Sequence, residues 1–425
     1  MAFMDYEPSH YEVDTLLVEL GRGLIYLVDE EEGAELLEQV KGLRQRISLE
    51  LGLEIPRIRI IDNFELEASE YCIKLKGVEA GKSVLKIKHY LCISPGIVTK
   101  IKGTKTIDPV FGFPSLWVNE DGKHIAKSAG YTVVDHPTII STHLRKIIER
   151  NAADILGLQD TMNILHNMRK KYPTVVEEVT RECKGCREIV YIWKILQGLL
   201  RENVSIRNMT SILEVIAVFV PMTTDFRFLI EQAREALAKQ ICSQYADENR
   251  TIHVMTLDPA LEQKIIDSKA QAPTGDIFSA LEPAMHIVWI KALEKMVRAC
   301  QKLNRYPVIL CSFQARYLVR SSLEREFPEV AVLSVREIAV DFRVEAIGVI
   351  KPDMLKEIVS EESKTRESRT SEVCIDANDL YNIGVWYENG KGVKKDLNMA
   401  AYWWTMAAAQ GNSNAKEKLK NIANS

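Results

Sequence analysis

The only closely spaced pair of potentially reactive side chains is Cys183 and Cys186, in the stretch CKGC. That spacing suits half of a structural zinc site or a dithiol redox pair, but zinc needs four ligands and neither a second CxxC nor paired histidines lie nearby. The other cysteines, at 72, 92, 242, 300, 311 and 374, are scattered, mostly inside apolar stretches, which suits buried reduced thiols better than a disulfide framework. The eight histidines are isolated from one another, and there is no HExxH, no GxSxG and no phosphate-cradling GxxxxGK loop. His143, on an apolar helix face, reads as a hydrogen-bonded packing residue, and Asp108 and Asp135 read as turn and cap residues rather than an acid–base pair. The expectation is a protein that is not an enzyme and carries no metal and no cofactor.

The elements around these residues belong to a globular chain. With 425 residues, 46% hydrophobic and 27% charged, the sequence is long enough for several domains. A formal net charge of -4, with basic residues spread along the chain, gives neither a phosphate-tracking stripe nor a polybasic membrane patch, so nucleic acid is not an expected partner. No apolar run approaches the roughly 18 residues of a membrane helix, and the start, MAFMDYEPSHYE, carries acids where a signal peptide needs positive charge. A cytoplasmic location without a membrane span is expected.

The most informative stretch runs from Thr106 to Leu144. Asp108-Pro109 opens a turn, Phe111, Phe113, Leu116, Trp117 and Val118 supply apolar surface, and Gly112 and Pro114 interrupt regular structure. Tyr131–Val134 is a β-branched run, after which Asp135 and Pro137 mark the start of a helix carrying Ile139, Ile140, His143, Leu144, Ile147 and Ile148 on one face. Upstream, Leu16–Leu20 reads as a strand. Asp29 to Gly52 reads as a helix, capped by Asp29 with Glu32 three residues on, and Arg57–Asp62 and Tyr71–Val78 read as alternating strands joined through Asp62-Asn63. Leu156 to about Glu235 is helical, with breaks at Pro173, Gly185, Asn203 and Pro221. Beyond it, a helix over 280–303 and strands at Pro307–Cys311 and Val330–Leu333 indicate an α/β unit.

The wording DPVFG, then GYTVVD, then the Thr142-His143-Leu144 helix resembles the cytoplasmic half of the FHIPEP family, the export-gate proteins of bacterial flagella and of virulence type III secretion. Gly23–Asp29, Arg59–Asn63, Ile73–Glu79 and Leu199–Arg207 agree, over about residues 14 to 350, and the Lys-Gly-Val-Glu of 76–79 leans towards the flagellar branch. The resemblance implies an α+β multidomain chain in which α/β domains flank a helical domain. Its divisions would be 14–86 plus 136–155 (first α+β domain), 87–135 (small inserted domain), 156–235 (helical) and 236–352 (C-terminal α/β). It implies a binding role, in which export chaperones with their cargo proteins, and other export-apparatus proteins, are received by a homo-oligomeric ring peripheral to the inner membrane. Carried over by position, the partner-binding residues are Asp108, Phe111 and Thr142, with Val134 as a further lining residue. A phenylalanine at the mouth of a concave surface would be the apolar anchor, with a solvated Asp and a Thr fixing the orientation of the incoming segment. Two departures stand out: the family's membrane half is not in this sequence, so conduction by this chain alone is not expected, and Ser205 and Asn208 replace the Pro and Asp of the family's VPIRD stretch.

From Glu361 to Ser371 there is no apolar residue, and 353–371 reads as a linker. Residues 377–411 resemble one Sel1-like repeat, related to the tetratricopeptide helix pair, through Leu380, Gly384, Tyr387, Gly390, Gly392, Ala400, Trp403, Ala407 and Gly411; the unit spans 372–425. One repeat does not bury its own apolar face, so Trp386, Trp403 and Trp404 are expected as a repeat surface, even with a closing helix over 415–422. Two functions follow: a docking platform for flagellar or type III export, or an adaptor in which the Sel1-like repeat recruits a partner.

Overall fold

Alternating apolar residues in Leu16–Leu20 (β1) form the centre of a sheet whose order is β2-β1-β3-β4, with β2 at Ile58–Asp62, β3 at Glu70–Leu75 and β4 at Val78–Val84. β2 lies parallel to β1 and β3 antiparallel, so the two strands expected to be joined through Asp62-Asn63 flank β1 instead of pairing with each other. The expected strand over 71–78 is broken at Lys76-Gly77, both at positive φ (49° and 80°), which suits a tight hairpin into β4. The computed structural model describes residues 13–94, 101–181, 187–268, 283–303 and 305–351, with 381, 385, 388, 400, 401, 404, 405, 407, 408 and 412–423. Cys183 and Cys186 lie outside the described residues, as do the linker and residues 386 and 403.

Helix α1 (Glu35–Leu51) buries Leu36, Val40, Leu43 and Ile47 in the same core as Leu16, Val18 and Leu20. It begins six residues later than Asp29, because Gly33 and Ala34 both take positive φ (97° and 46°) and cannot continue a helix backwards. Asp29 accepts a hydrogen bond from the Glu31 N–H instead, closing the turn after a 3-10 segment. Helix α1 ends at Gly52, whose φ of 72° leaves no room for a Cβ against the Arg207 backbone, 2.4 Å away.

A second four-stranded sheet, ordered β6-β7-β5-β8, follows: β5 (His89–Ile93), β6 (Thr104–Ile107), β7 (Pro114–Asn119) and β8 (Thr132–Val134), with helix α2 (Glu120–Ser128) between the last two. Asn119 caps α2 by accepting the Gly122 N–H, and Ala126 closes a small core with Cys92 and Val118. Helix α3 (His136–Arg150) starts where the sequence indicates, with Asp135 accepting the Thr138 N–H at 3.0 Å. Its buried stripe of Ile139, Ile140, Leu144, Ile147 and Ile148 rejoins the core of the first sheet.

Helices α4 (Ala152–Ile155), α5 (Leu158–Lys171), α6 (Pro173–Arg181), α7 (Arg187–Arg201), α8 (Met209–Phe219), α9 (Phe226–Ala236) and α10 (Ala238–Tyr245) follow in succession. They lead into a third sheet, ordered β11-β10-β9-β12 and wholly parallel: β9 (Thr251–Leu257), β10 (Val308–Cys311), β11 (Ala331–Ser334) and β12 (Arg343–Ile350). α11 (Pro259–Ser268), α12 (Pro283–Lys302) and α13 (Phe313–Leu323) lie between its strands in sequence. The chain is therefore an α+β multidomain protein.

Where α7 and α9 meet α13 and β11, charged side chains are buried. Arg316 donates to both Glu202 and Glu231; Arg234 donates to Glu337 Oε1 at 2.6 Å and to Glu202 at 3.0 Å, and the Ser334 N–H donates to the other Glu337 oxygen at 2.5 Å. Glu202 titrates at about 2, because the Arg316 and Arg234 guanidiniums outweigh the cost of its burial. Glu231, bonded to Arg316 and lying near Glu202, is raised, chiefly by burial.

The chain divides into two compact units, one spanning 1–286 and 293–350, the other 287–292 and 351–425. In the second, Trp404, Ala400, Ala407 and Ala415 form a small core with Tyr381, Val385 and Leu419 packed on it. The Trp404 indole N–H donates to the Tyr381 carbonyl at 3.2 Å, and helix α14 (Ser413–Ala423) contributes Lys418, 5.2 Å above the Trp404 ring and paired with Glu388. Trp404 is fully buried, which corrects its place in the expected repeat surface: with small alanines on both sides the indole fits between helices.

Candidate docking site

The loop joining β6 to β7 runs from Asp108 to Phe113, and one carboxylate shapes it. Asp108 accepts the Phe111 N–H at 2.9 Å and the Val110 N–H at 3.3 Å, while its own N–H donates to the Phe113 carbonyl and its carbonyl accepts the Gly112 N–H. Gly112, at φ 71°, lets the chain turn back. Asp108 is only 2% exposed. This corrects the expectation of a solvated carboxylate: loop N–H groups replace water around it, and the side chain shapes the loop.

The loop presents aromatic surface. Phe111 and Phe113 are 52% and 50% exposed, their rings stacked with centroids 6.1 Å apart, and Ile107 beside them is 68% exposed. From α3, the Lys146 ammonium lies 6.0 Å from the Phe111 ring centroid, at the outer limit of a cation–π contact. Thr142 precedes Lys146 by one helical turn and so shares its face; it is half-buried. Phe111 and the Thr142–Lys146 face are thus neighbours.

Val134, on β8, pairs with Leu91 of β5 and packs, partly buried, against the large core, its strand three strand spacings, about 14 Å, from β6.

His143 turns inward from the same helix. The Tyr71 hydroxyl and the His143 Nδ1 share a hydrogen bond of 2.8 Å, and a Cβ at Gly81 would stand 2.6 Å from its Nε2, so the ring is wedged on β3 and β4. Burial pushes its pKa down; Asp108 partly offsets this and Arg150 adds to it. It is a packing residue. His136 is bonded in a similar way. Tyr26 donates to its Nδ1 at 2.6 Å and its Nε2 donates to the Lys86 carbonyl at 3.0 Å, joining the segment that enters the second sheet to the one that leaves it.

Sequence reasoning missed Ile107 and Lys146. The signal for Lys146 was its i+4 spacing from Thr142; Ile107 was hidden because an isoleucine ending a strand reads as core. A cleft of about 1090 Å³ also opens near the outer end of α3, lined among others by Arg145, Lys146, Arg150, Arg207 and Glu329; Asp108, Phe111 and Thr142 do not line it. Among the described residues no group of three or more His, Cys, Asp or Glu could hold a metal ion, and no helix is long and apolar enough to cross a membrane.

These features define a class: a multidomain α+β chain that carries an exposed aromatic loop beside a helix. The FHIPEP family model matches residues 5–343, and the chain belongs to the FHIPEP family. A Sel1 repeat matches 377–412. Similar relatives include the flagellar biosynthesis protein FlhA of Treponema pallidum, 41% identical over 344 residues covering 80% of this chain and 48% of the relative, and that of Borreliella burgdorferi, 40% identical over 339 residues with the same coverage. The chain thus spans about half the length of the curated relatives it matches. Among solved structures, the Chlamydia pneumoniae CdsV protein matches with TM-score 0.66 at 24% identity, covering 81% of this chain and 99% of that one. It has also been solved in complex with CdsO. The nonameric EscV cytosolic domain from a type III secretion system matches with TM-score 0.63 at 22% identity, covering 81% and 98%. At these identities the likeness is one of fold.

Proposed function

We propose that this chain is a docking platform of a flagellar or type III export apparatus, at the cytoplasmic side of the inner membrane, that receives export chaperones with their cargo. The observation that carries this reading is the pair of half-exposed phenylalanines, Phe111 and Phe113, on a loop whose carboxylate is spent on its own backbone. Exposed stacked aromatics contribute nothing to the core and are the side chains that most often anchor interfaces. Phe111 is the anchor, Thr142 and Lys146 supply polar contacts beside it, and Asp108 positions the loop. The fold shared with the nonameric EscV domain supports assembly into a ring, and the complex of CdsV with CdsO supports further apparatus proteins as partners. The proposed domains are 14–86 with 136–155, then 87–135, 156–235 and 236–352, followed by the Sel1 unit.

Calorimetric titration of the full chain with a flagellar chaperone–cargo complex tests this. Phe111→Ala is expected to weaken binding at least tenfold with an unchanged melting temperature; equal affinity would remove the assignment. The adaptor reading rests on a Sel1 match that begins after the FHIPEP match ends. Deleting 372–425 separates the two: the platform keeps chaperone binding, whereas an adaptor loses its main partner.

A further inference from the structure

The aromatic loop is continuous with a sheet edge on which Thr104, Lys105 and Ile107 are exposed, the Lys86 ammonium donating to the Thr104 hydroxyl at 2.8 Å. β6 is the outer strand of the second sheet. Its register against β7 pairs Thr104 with Trp117, Lys105 with Leu116, Thr106 with Ser115 and Ile107 with Pro114. The Asp108 N–H bonds to the Phe113 carbonyl at 2.8 Å. Hydrogen-bonded and non-hydrogen-bonded pairs alternate along an antiparallel ladder, so Thr106 and Thr104 turn their main chain towards β7. Lys105 and Ile107 turn theirs outward. Pro114, which has no N–H to offer, stands opposite Ile107, as that alternation requires.

We infer that the β6 edge takes up an extended, acidic segment of the docked protein as an added strand, so that the partner is held by main-chain hydrogen bonds at Lys105 and Ile107 as well as by the Phe111 anchor. This rests on the docking reading given above and deepens it.

Three observations select that occupant. The outward N–H and C=O groups of Lys105 and Ile107 match the repeat of an extended chain and not of a helix, whose backbone groups are already paired. Lys105 and Ile107, two apart on the strand, share a face. An added strand would therefore meet a lysine and an isoleucine on one face, then the loop of Phe111 and Phe113, which calls for an acidic side chain followed two residues on by an apolar one. Lys102 and Lys105 are exposed, no ion-pair partner stands against either among the described residues, and from Ile101 to Ile107 there is no acidic residue. Asp108, the next carboxylate, is buried in its loop. Lysine is also a common device for discouraging strand addition at sheet edges. Here, however, the same edge ends in exposed Ile107 and leads into two exposed phenylalanines, the opposite of a blunted edge.

The test uses the full chain and the same chaperone–cargo complex in calorimetry. Lys105→Pro removes the outward N–H, and proline is tolerated on an edge strand where the N–H faces away from the ladder. Lys105→Gln removes the charge alone. The expected result is at least a tenfold loss for Lys105→Pro and a smaller, salt-sensitive loss for Lys105→Gln. If Lys105→Pro binds no worse than Lys105→Gln while Phe111→Ala loses binding, strand addition is overturned and the docking reading stands. If all three bind like the parent, both fall. A second measurement leaves the protein unaltered: a short synthetic peptide with glutamate, valine and phenylalanine at every second position and threonine between them is titrated against its backbone N-methylated twin. Binding of the first and not the second supports the added strand; equal affinities, or no binding by either, overturn it.

Discussion

Two joints of this chain solve opposite problems. Where α7 and α9 meet α13 and β11, Glu202, Glu231, Arg234, Arg316 and Glu337 are withdrawn from water and exchange charge-assisted hydrogen bonds. Where the second sheet meets α3, the loop's one carboxylate is buried against backbone N–H groups and apolar rings are left outside. A buried charge without its partner is expensive, so the first joint has one acceptable arrangement. The second keeps its shape through local hydrogen bonds and leaves its aromatic surface free for something else. The difference is between a seam closed by its own charges and one that leaves aromatic rings in solvent.

The largest test of that contrast is Arg316→Met, which strands Glu231 and leaves Glu202 with Arg234 alone, and is expected to cost about 3–5 kcal/mol in urea denaturation. A loss under about 1 kcal/mol would show that the network contributes little to closing the seam. Acid titration reads the same joint. The Glu202 pKa is depressed from 4.5 to about 2, so its stabilisation is complete above about pH 4.5 and is withdrawn as pH falls towards 2, a loss of about 3 kcal/mol. Glu231, displaced upwards, contributes its change above pH 4.5, so the windows do not overlap. Glu202→Gln should flatten the acid limb; an unchanged slope there would assign it to other carboxylates.

At the open joint the effects are smaller. Gly81→Ala drives a methyl against the His143 ring and should cost about 1–3 kcal/mol by thermal melting, because β3 and β4 hold that ring from beneath. Asp108→Ala leaves two loop N–H groups without an acceptor and should cost about 1–2 kcal/mol while also weakening docking. Phe111→Ala sits at the bottom of the stability scale, within about 0.5 kcal/mol of the parent, as an exposed side chain should be. A large destabilisation there would mean that the aromatic pair belongs to the fold.

The sequence was most informative where one residue type has one physical use. Asp135 as a cap, the buried stripe of α3 and strands β10 and β11 could be placed from pattern alone. It misled where long-range pairing decides. Nothing local shows that β1 separates β2 from β3. The start of α1 was misplaced because Asp29 and Glu32 mimic a capping box, while the positive φ of Ala34 is invisible in a residue that favours helices. At the site, the residue types suggested binding, but burial reversed the role of one of them. Asp108 and Phe111 look equally available in a sequence, and only the folded loop separates the side chain that holds from the one that is held out. For Trp404 the same reversal came from its alanine neighbours.

The imidazole of His136 stitches together the two crossings by which the second sheet is attached, accepting from Tyr26 on one nitrogen and donating to the Lys86 carbonyl with the other. Leu91 and Trp117 of that sheet also enter the large core beside Ile139, Ile140 and Leu144 of α3, so the sheet is tied down by apolar burial as well as by this one ring. Replacing the ring would therefore release both crossings at once and still leave two apolar side chains of the sheet in the core.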